Sequence, residues 1–449
     1  MSAAATGRDG AAATRRDWVV HPARAPLAGT LAVPGDKSVS HRALMLAALA
    51  EGTSTLEGFL EGEDTCATAR ILQQLGVRVE TPEPGMRVVY GAGLHGLRAS
   101  AAPLDCGNAG TGMRLLAGLL SGQRFDSVLT GDDSLSRRPM GRVIEPLAAM
   151  GARIDSRQGL PPLFIHGDQS LRGTRLRTAV ASAQVKSAIL LAGLYAEGET
   201  EVTEPQPTRD YTERMLEAFG WPVRYGPGWA KLDGGHALRA RTVRVPADFS
   251  SAAFFIVAAS LVPGSELRLR GVGLNPRRTG LLEVLRAMGA DIGVHSRREE
   301  GGEPVADLRV RHAPLHGIEV PLRHVPDMID EFPVLFVAAA LATGRTVVRG
   351  AAELRVKESD RIASVVAGLR ANGVTVEDAP DLMRVTGMAR VPGGGTVATH
   401  LDHRIAMSFI VLGLAAAAPV TVDDARTIAT SFPEFRALMT GLGAEIADA

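Results

Sequence analysis

Residues 34–42 read PGDKSVSHR and run directly into an Ala/Leu-rich stretch. The Pro-Gly turn delivers Lys37 and Ser38 to the start of a predicted helix, where Ser38 or Ser40 can cap free backbone N–H groups. The positive helix end adds to the charges of Lys37 and Arg42. Backbone donors, two cations and a hydroxyl at one point suit an anion such as a phosphate ester. A nucleotide P-loop is excluded, because it needs Gly directly before Lys and Asp36 stands there.

Similar clusters recur where polar turns meet apolar runs. Residues 104–116, LDCGNAGTGMRLL, carry Gly107, Gly110 and Gly112, which let backbone approach a ligand, and Asn108 or Thr111 can cap the helix that follows. In SLSRRPMGR, 134–142, Pro139 fixes a loop bearing Arg137 and Arg138. In ASAQVKSA, 181–188, Ser182 is a natural cap ahead of Ala183, and Gln184 can donate and accept at once. Lys186 there is assigned to structure. Asp330 and Glu331 in PDMIDEFPVLF open a very apolar helix, a placement that dipole attraction alone explains.

The segment LRVKESDRIASV, 354–365, is the most informative. On a helix, Lys357 and Arg361 share a face, with Glu358 three residues before Arg361. A surface ion-pair network is the default for such runs. Beside a buried-helix repeat, however, Arg361 suits bidentate recognition of carboxylate or phosphate. In THLDHRIAMS, 399–408, His400, Asp402 and His403 lack a fourth ligand at sensible spacing, so no metal site is expected.

Elements must bring these clusters together, and the chain repeats itself to do so. Six runs are apolar nearly all round: HRALMLAALAEG, GMRLLAGLLSG, VKSAILLAGLYAEG, AAFFIVAASLVPG, FPVLFVAAALATG and IAMSFIVLGLAAAA. After each comes an alternating stretch that reads as a half-buried strand, such as TSTLEGF or RTVVRGA. An amphipathic helix then follows, as in LLEVLRAMG. Helices apolar all round belong inside, so the sheets must lie outside. The expected fold is α/β, with two inside-out domains of three repeated units each. LAVPGDKSVSHRA echoes in VRVPADFSSAAF, which marks two crossover points. One domain would then span 36–246 and the other combine 17–35 with 247–449, with the site in the cleft between them.

Size and composition set further bounds. A chain of 449 residues needs more than one core, and 49 basic residues against 49 acidic ones give none of the basic excess of a nucleic-acid binder. Two cysteines indicate a reducing compartment, no run reaches membrane-span length, and a cytoplasmic location is expected. Residues 1–16 read as a disordered tail rather than a leader, given Asp9 and the short length.

From about Ala28 to the carboxyl end, these motifs resemble the 5-enolpyruvylshikimate-3-phosphate synthases, a family of enolpyruvyl transferases with this inside-out fold. The resemblance implies transfer of the enolpyruvyl group of phosphoenolpyruvate to the 5-hydroxyl of shikimate 3-phosphate, by addition and elimination. By motif match, Lys37, Ser38, Arg42, Ser182, Ala183, Gln184, Arg209, Asp330 and Lys357 would hold shikimate 3-phosphate. Lys37, Asn108, Gly110, Arg138, Gln184, Arg361 and Arg404 would hold phosphoenolpyruvate. Lys37, Asp330 and Glu358 would carry the proton chemistry, one carboxyl having a pKa raised by burial on closure.

The resemblance further implies no cofactor, no metal, no nucleic-acid or membrane partner, and a monomer. Substrates would close a cleft that its crowded cations otherwise hold open. Gly110 falls where glyphosate-tolerant members carry Ala. Many relatives have Lys where Thr430 stands, so a cation is missing there. The sister transferase acting on UDP-N-acetylglucosamine has Cys in the loop before Arg138 and Asn after the first Lys. This chain has no Cys in that loop, and Ser38 after Lys37.

Overall fold

The computed structural model describes residues 15–449. The expected disordered tail therefore falls, for residues 1–14, outside the described residues. Its last two residues are held: Arg15 pairs with Asp17 at 2.6 Å, and Ala425 N donates to Arg16 O.

The helices come in pairs. They are α1 (Lys37–Leu49) with α2 (Glu63–Gln74), α3 (Gly110–Ser121) with α4 (Gly141–Ala149), and α5 (Ala183–Gly193) with α6 (Tyr211–Ala218). Then follow α7 (Phe249–Leu261) with α8 (Gly280–Ala287), α9 (Phe332–Ala340) with α10 (Arg361–Ala371), and α11 (His403–Ala415) with α12 (Phe435–Gly441). The first of each pair matches an apolar run and is buried along its length. In α7 and α9 every residue is buried. The second keeps a polar face, as in α4, where only Val143 and Leu147 are buried.

Each pair brings one small sheet, six in all among the described residues. Strand burial alternates, as in Glu199–Thr203 and Arg345–Arg349, which places the sheets outside the helices. Two apolar clusters result. One takes residues from Val39 to Val245 around α1, α3 and α5; the other joins Trp18–Val33 to Phe249–Ile446 around α7, α9 and α11. Close helix contact needs small residues. A Cβ on Gly118 of α3 would lie 2.1 Å from Ala188 O of α5.

The chain passes between the clusters twice, and the two passages pair with each other. Asp36 N donates to Pro246 O and Asp248 N to Pro34 O, both at 2.8 Å. The strands flanking the passages stay with their own clusters: Ala28–Leu31 pairs parallel to Glu266–Gly273, and Thr242–Arg244 parallel to Ala50–Glu57. Each passage ends on an aspartate that caps a central helix. Asp36 accepts from Val39 N, and Asp248 from Ser250 N and Ser251 N. Among the described residues no helix is long and apolar enough to cross a membrane.

Candidate active site

The starts of the central helices open on one cavity of about 460 Å³. Lys37, Ser38, Arg42, Asn108, Gly110, Arg138, Ser182, Ala183, Gln184, Arg209, Asp330, Lys357, Glu358 and Arg404 all line it. Arg361 does not. Its guanidinium lies behind Glu358, at 2.5 Å, and is held by Asp402 at 2.8 Å and Asp330 at 3.4 Å. Nine Lys and Arg residues and five carboxylates line the space, a surplus of positive charge that anions can balance.

Local structure differs from the sequence reading at several helix starts. Asp36, not Ser38 or Ser40, caps α1, because it stands in extended backbone just before the first turn and its carboxylate accepts from Val39 N at 2.9 Å. Neither Asn108 nor Thr111 caps α3. Asn108 Oδ1 accepts from Arg138 at 2.5 Å while its Nδ2 donates to Asp132 at 2.7 Å, and Thr111 accepts from Gln184 at 2.8 Å. Ser182 is the N-cap of α5 by position but makes no capping bond, which leaves its hydroxyl facing the cavity. Lys357 and Glu358 do not share a helix with Arg361. They follow a 3-10 turn, Ala352–Val356, and α10 starts only at Arg361 with Asp360 as cap.

Asp330 is the centre of the charge arrangement. Arg209 reaches it at 3.0 Å, Lys357 at 3.8 Å and Arg278 at 4.0 Å, and Arg404 donates to its backbone oxygen at 3.0 Å. Burial pushes the Asp330 carboxyl up, but Lys357, Arg404, Arg209 and Arg278 outweigh it and hold the carboxyl well below the usual carboxylate range. Glu358 behaves alike: burial raises it, and Arg361, Arg138, His403 and Lys37 bring it well below. The expected carboxyl with a raised pKa is therefore neither of these, because cations overcome desolvation. Lys357 is shifted down, by burial first, against the upward pull of Asp330.

Cations do not hold the two sides apart. Arg209–Asp330 at 3.0 Å, Arg138–Glu358 at 3.6 Å and Arg142–Glu353 at 2.7 Å each join a residue of one cluster to one of the other. The protein's own carboxylates thus bridge the cleft that charge repulsion was expected to open. Lys37 pairs with Asp64 at 3.0 Å. Arg42 is buried and donates to Thr212, Ser187 and the Ser38 carbonyl, and burial beside Arg209 lowers its pKa to about 10.

Three lining cations, Arg114, Arg142 and Arg278, escaped the sequence reading. Arg114 is a lone charge inside an apolar helix and donates to Gln184 Oε1 at 2.5 Å, a signal that was legible. Arg278, in LNPRRTG, pairs with Glu331 at 2.6 Å and gave no pattern to read. Residues set aside as structural stay out of the cavity. Arg137 is exposed, and Lys186 is buried between Glu204 and Glu213. His400 is exposed, while His403 lines the cavity. Burial, then Lys37 and Arg404, hold His403 well below its ordinary value. No group of three His, Cys, Asp or Glu among the described residues is disposed to hold a metal. Thr430 is not among the lining residues and donates to Thr427 O at 2.8 Å.

Comparison with known proteins gives one answer. The family model described as EPSP synthase (3-phosphoshikimate 1-carboxyvinyltransferase) matches residues 22–439. A 3-phosphoshikimate 1-carboxyvinyltransferase of Xanthomonas campestris pv. campestris is 62% identical over 427 residues, which is 95% of this chain and 97% of the relative. The solved EPSP synthase of Acinetobacter baumannii superposes with a TM-score of 0.87 at 49% identity, over 97% of this chain and 100% of its own. At 17% identity, the enolpyruvyl transferase NikO of Streptomyces tendae shares the fold, with a TM-score of 0.79 over 97% of this chain and 99% of its own.

Proposed function

The chain belongs to the EPSP synthase family and is a 3-phosphoshikimate 1-carboxyvinyltransferase, and from that premise we propose how its cavity divides the work. The reaction moves the enolpyruvyl group of phosphoenolpyruvate to the 5-hydroxyl of shikimate 3-phosphate and releases phosphate. The observation that carries the assignment is the pair of half-buried carboxylates, Asp330 and Glu358, set in a cavity with surplus cations. Each substrate brings a phosphate and a carboxylate, and the surplus offsets them.

In this reading Lys37, Ser38, Ser182, Ala183, Gln184, Arg209, Asp330 and Lys357 hold shikimate 3-phosphate, and Arg42 adds charge from beneath Ser38. Lys37, Asn108, Gly110, Arg138, Gln184, Arg361 and Arg404 hold phosphoenolpyruvate. Arg361 must turn part of its fork from Glu358 to do so. Glu358 gives a proton to the methylene carbon, and C2 gains cationic character. Asp330, with Lys37, takes the proton of the attacking hydroxyl. The tetrahedral adduct then loses phosphate and a methyl proton to leave the enol ether.

Glu358 needs a proton that its arginines deny it. Phosphoenolpyruvate supplies the remedy, because its anionic groups compete for Arg138 and Arg361 and so raise the Glu358 carboxyl toward working pH. Substrate charge, rather than burial alone, prepares the acid. The two apolar clusters are read as two domains, 17–35 with 247–449 and 36–246, closing on the cavity. A monomer is proposed with this reading, as the family resemblance implies. The two free cysteines, Cys66 and Cys106, support a reducing, cytoplasmic setting.

Phosphate release from phosphoenolpyruvate, measured with shikimate 3-phosphate and in parallel with UDP-N-acetylglucosamine, tests the assignment. Release is expected only with shikimate 3-phosphate, with the enol ether confirmed by mass. Release only with the nucleotide sugar would overturn it.

A further inference from the structure

Asp210 is the N-cap of α6, yet its carboxylate makes no capping bond to its own helix. A capping aspartate normally accepts from the next turn's backbone. Here the carboxylate turns outward. Asp210 Oδ1 accepts from Asn275 Nδ2 at 2.7 Å and pairs with Arg214 Nε at 3.0 Å. Asn275 is 1% exposed and belongs to the other apolar cluster's side of the chain. Its second amide proton goes to Glu303 Oε2 at 2.9 Å, and its Oδ1 accepts from Arg277 N at 2.8 Å. Both donors and the acceptor are thus used, and the amide orientation is fixed, since a flipped oxygen would face two carboxylates.

The junction sits beside the reacting groups. Arg209, which reaches Asp330 at 3.0 Å, directly precedes Asp210. The residue before it is held too: Thr208 Oγ1 donates to Glu204 at 2.6 Å, and Glu204 is anchored by Lys186. Within this short loop, Asp210 adds a second tie across to the other side, beside that of Arg209 to Asp330. The burden on Asn275 is high, because Glu303 Oε1 has no hydrogen-bond partner and burial raises the Glu303 carboxyl to about 8.

We propose that Asn275 is a positioning residue: by bridging Asp210 and Glu303 it fixes Arg209 where it meets Asp330 and shikimate 3-phosphate. This rests on the role given to Arg209 above. Asn275 is not among the residues that line the cavity. Its backbone carbonyl accepts from Arg278 N at 2.8 Å, a bond that side-chain variants keep.

Steady-state kinetics of Asn275→Ala, Arg209→Ala and the double variant decide it. Asn275→Ala is expected to raise KM for shikimate 3-phosphate about tenfold, as a misplaced binding group does, with kcat and the KM for phosphoenolpyruvate nearly unchanged. In the Arg209→Ala background the same change should add little, because its target is gone. A full, additive effect in that background, or an equal rise in both KM values, would make Asn275 merely structural and overturn the proposal. Should Arg209→Ala itself leave KM unchanged, the role of Arg209 fails and takes the proposal with it. If Arg209→Ala raises KM while Asn275→Ala does not, only the proposal falls. Should Asn275→Ala fail to fold, Asp210→Ala cuts the same bridge from its more exposed end and must show the same KM pattern, or the proposal is wrong.

Discussion

Two ion clusters stand near the starts of central helices and differ in what they leave open. Around Lys186, one ammonium lies 3.0 Å from Glu204 and 2.8 Å from Glu213, and the three side chains are at most 3% exposed. Those carboxylates raise the lysine's pKa against the burial that lowers it. Nothing in that cluster faces the cavity. Around Asp330 and Glu358, cations exceed carboxylates and several face a space that a ligand can enter. A self-satisfied cluster holds the chain in place. An unbalanced one waits for charge from outside.

Removing a charge from each cluster breaks the comparison most sharply. Glu358→Gln and Asp330→Asn keep shape but remove proton transfer, and each is expected to lower kcat about a thousandfold, within the range for general acid–base groups. Each also loses a carboxylate paired with cations, so thermal unfolding should shift modestly below that of the parent. Near-normal turnover in both would end the assignment. Lys186→Met should do the opposite. Leaving two buried carboxylates without their cation costs about 3–5 kcal/mol of stability, read by urea unfolding, while the folded fraction keeps its KM for both substrates. Loss of substrate affinity without loss of stability would mean that Lys186 belongs to the site after all.

Much of this was legible because the repeat is written in the side chains. A helix apolar on every face has only one place to go, so α7 and α9 announced their burial, and the polar turns before the central helices announced the cavity. Caps were harder. Asp36 and Ser38 are both good capping residues, and only the backbone path decides that Asp36 precedes the first turn. Lys357 and Glu358 satisfied helical spacing yet stand outside α10, since a 3-10 turn redirects the chain before Asp360. Ties across the cavity, such as Arg142 to Glu353, join residues 211 apart, and no local pattern encodes them.

Arg361 tests how far geometry, beyond charge, sets the cavity apart. Its fork serves Asp402, Glu358 and Asp330 together. Lysine keeps the charge and loses the fork, so Arg361→Lys is expected to raise KM for phosphoenolpyruvate about a hundredfold, near 2.7 kcal/mol. An unchanged KM would mean that a point charge suffices. Acid addresses the same cluster. The folded-state pKa values of Asp330 and Glu358 are depressed, so their stabilisation is complete above the unfolded carboxylate range and is lost as pH falls through the folded values. Any stability deficit of the Asp330→Asn, Glu358→Gln double variant should therefore narrow between pH 7 and pH 3.5 in urea unfolding. A deficit that widens would reverse the sign.

The smallest change probes the edge of the cavity. Gly110 opens α3, and a Cβ there would lie 2.9 Å from Arg138 Nη1, closer than such contacts allow, and 3.5 Å from Arg114 Nη1. Arg138 is the end of a flexible side chain, so it can give way, but it is also tied to Asn108 at 2.5 Å and faces Glu358 at 3.6 Å. Gly110→Ala should therefore fold normally and shift the guanidinium rather than the helix. The expected outcome is a rise in KM for phosphoenolpyruvate of about tenfold, or 1.4 kcal/mol, with shikimate 3-phosphate unaffected. An equal loss for both substrates would show that the methyl moves the start of α3 itself, and Gly110 would then belong with the residues that hold the fold.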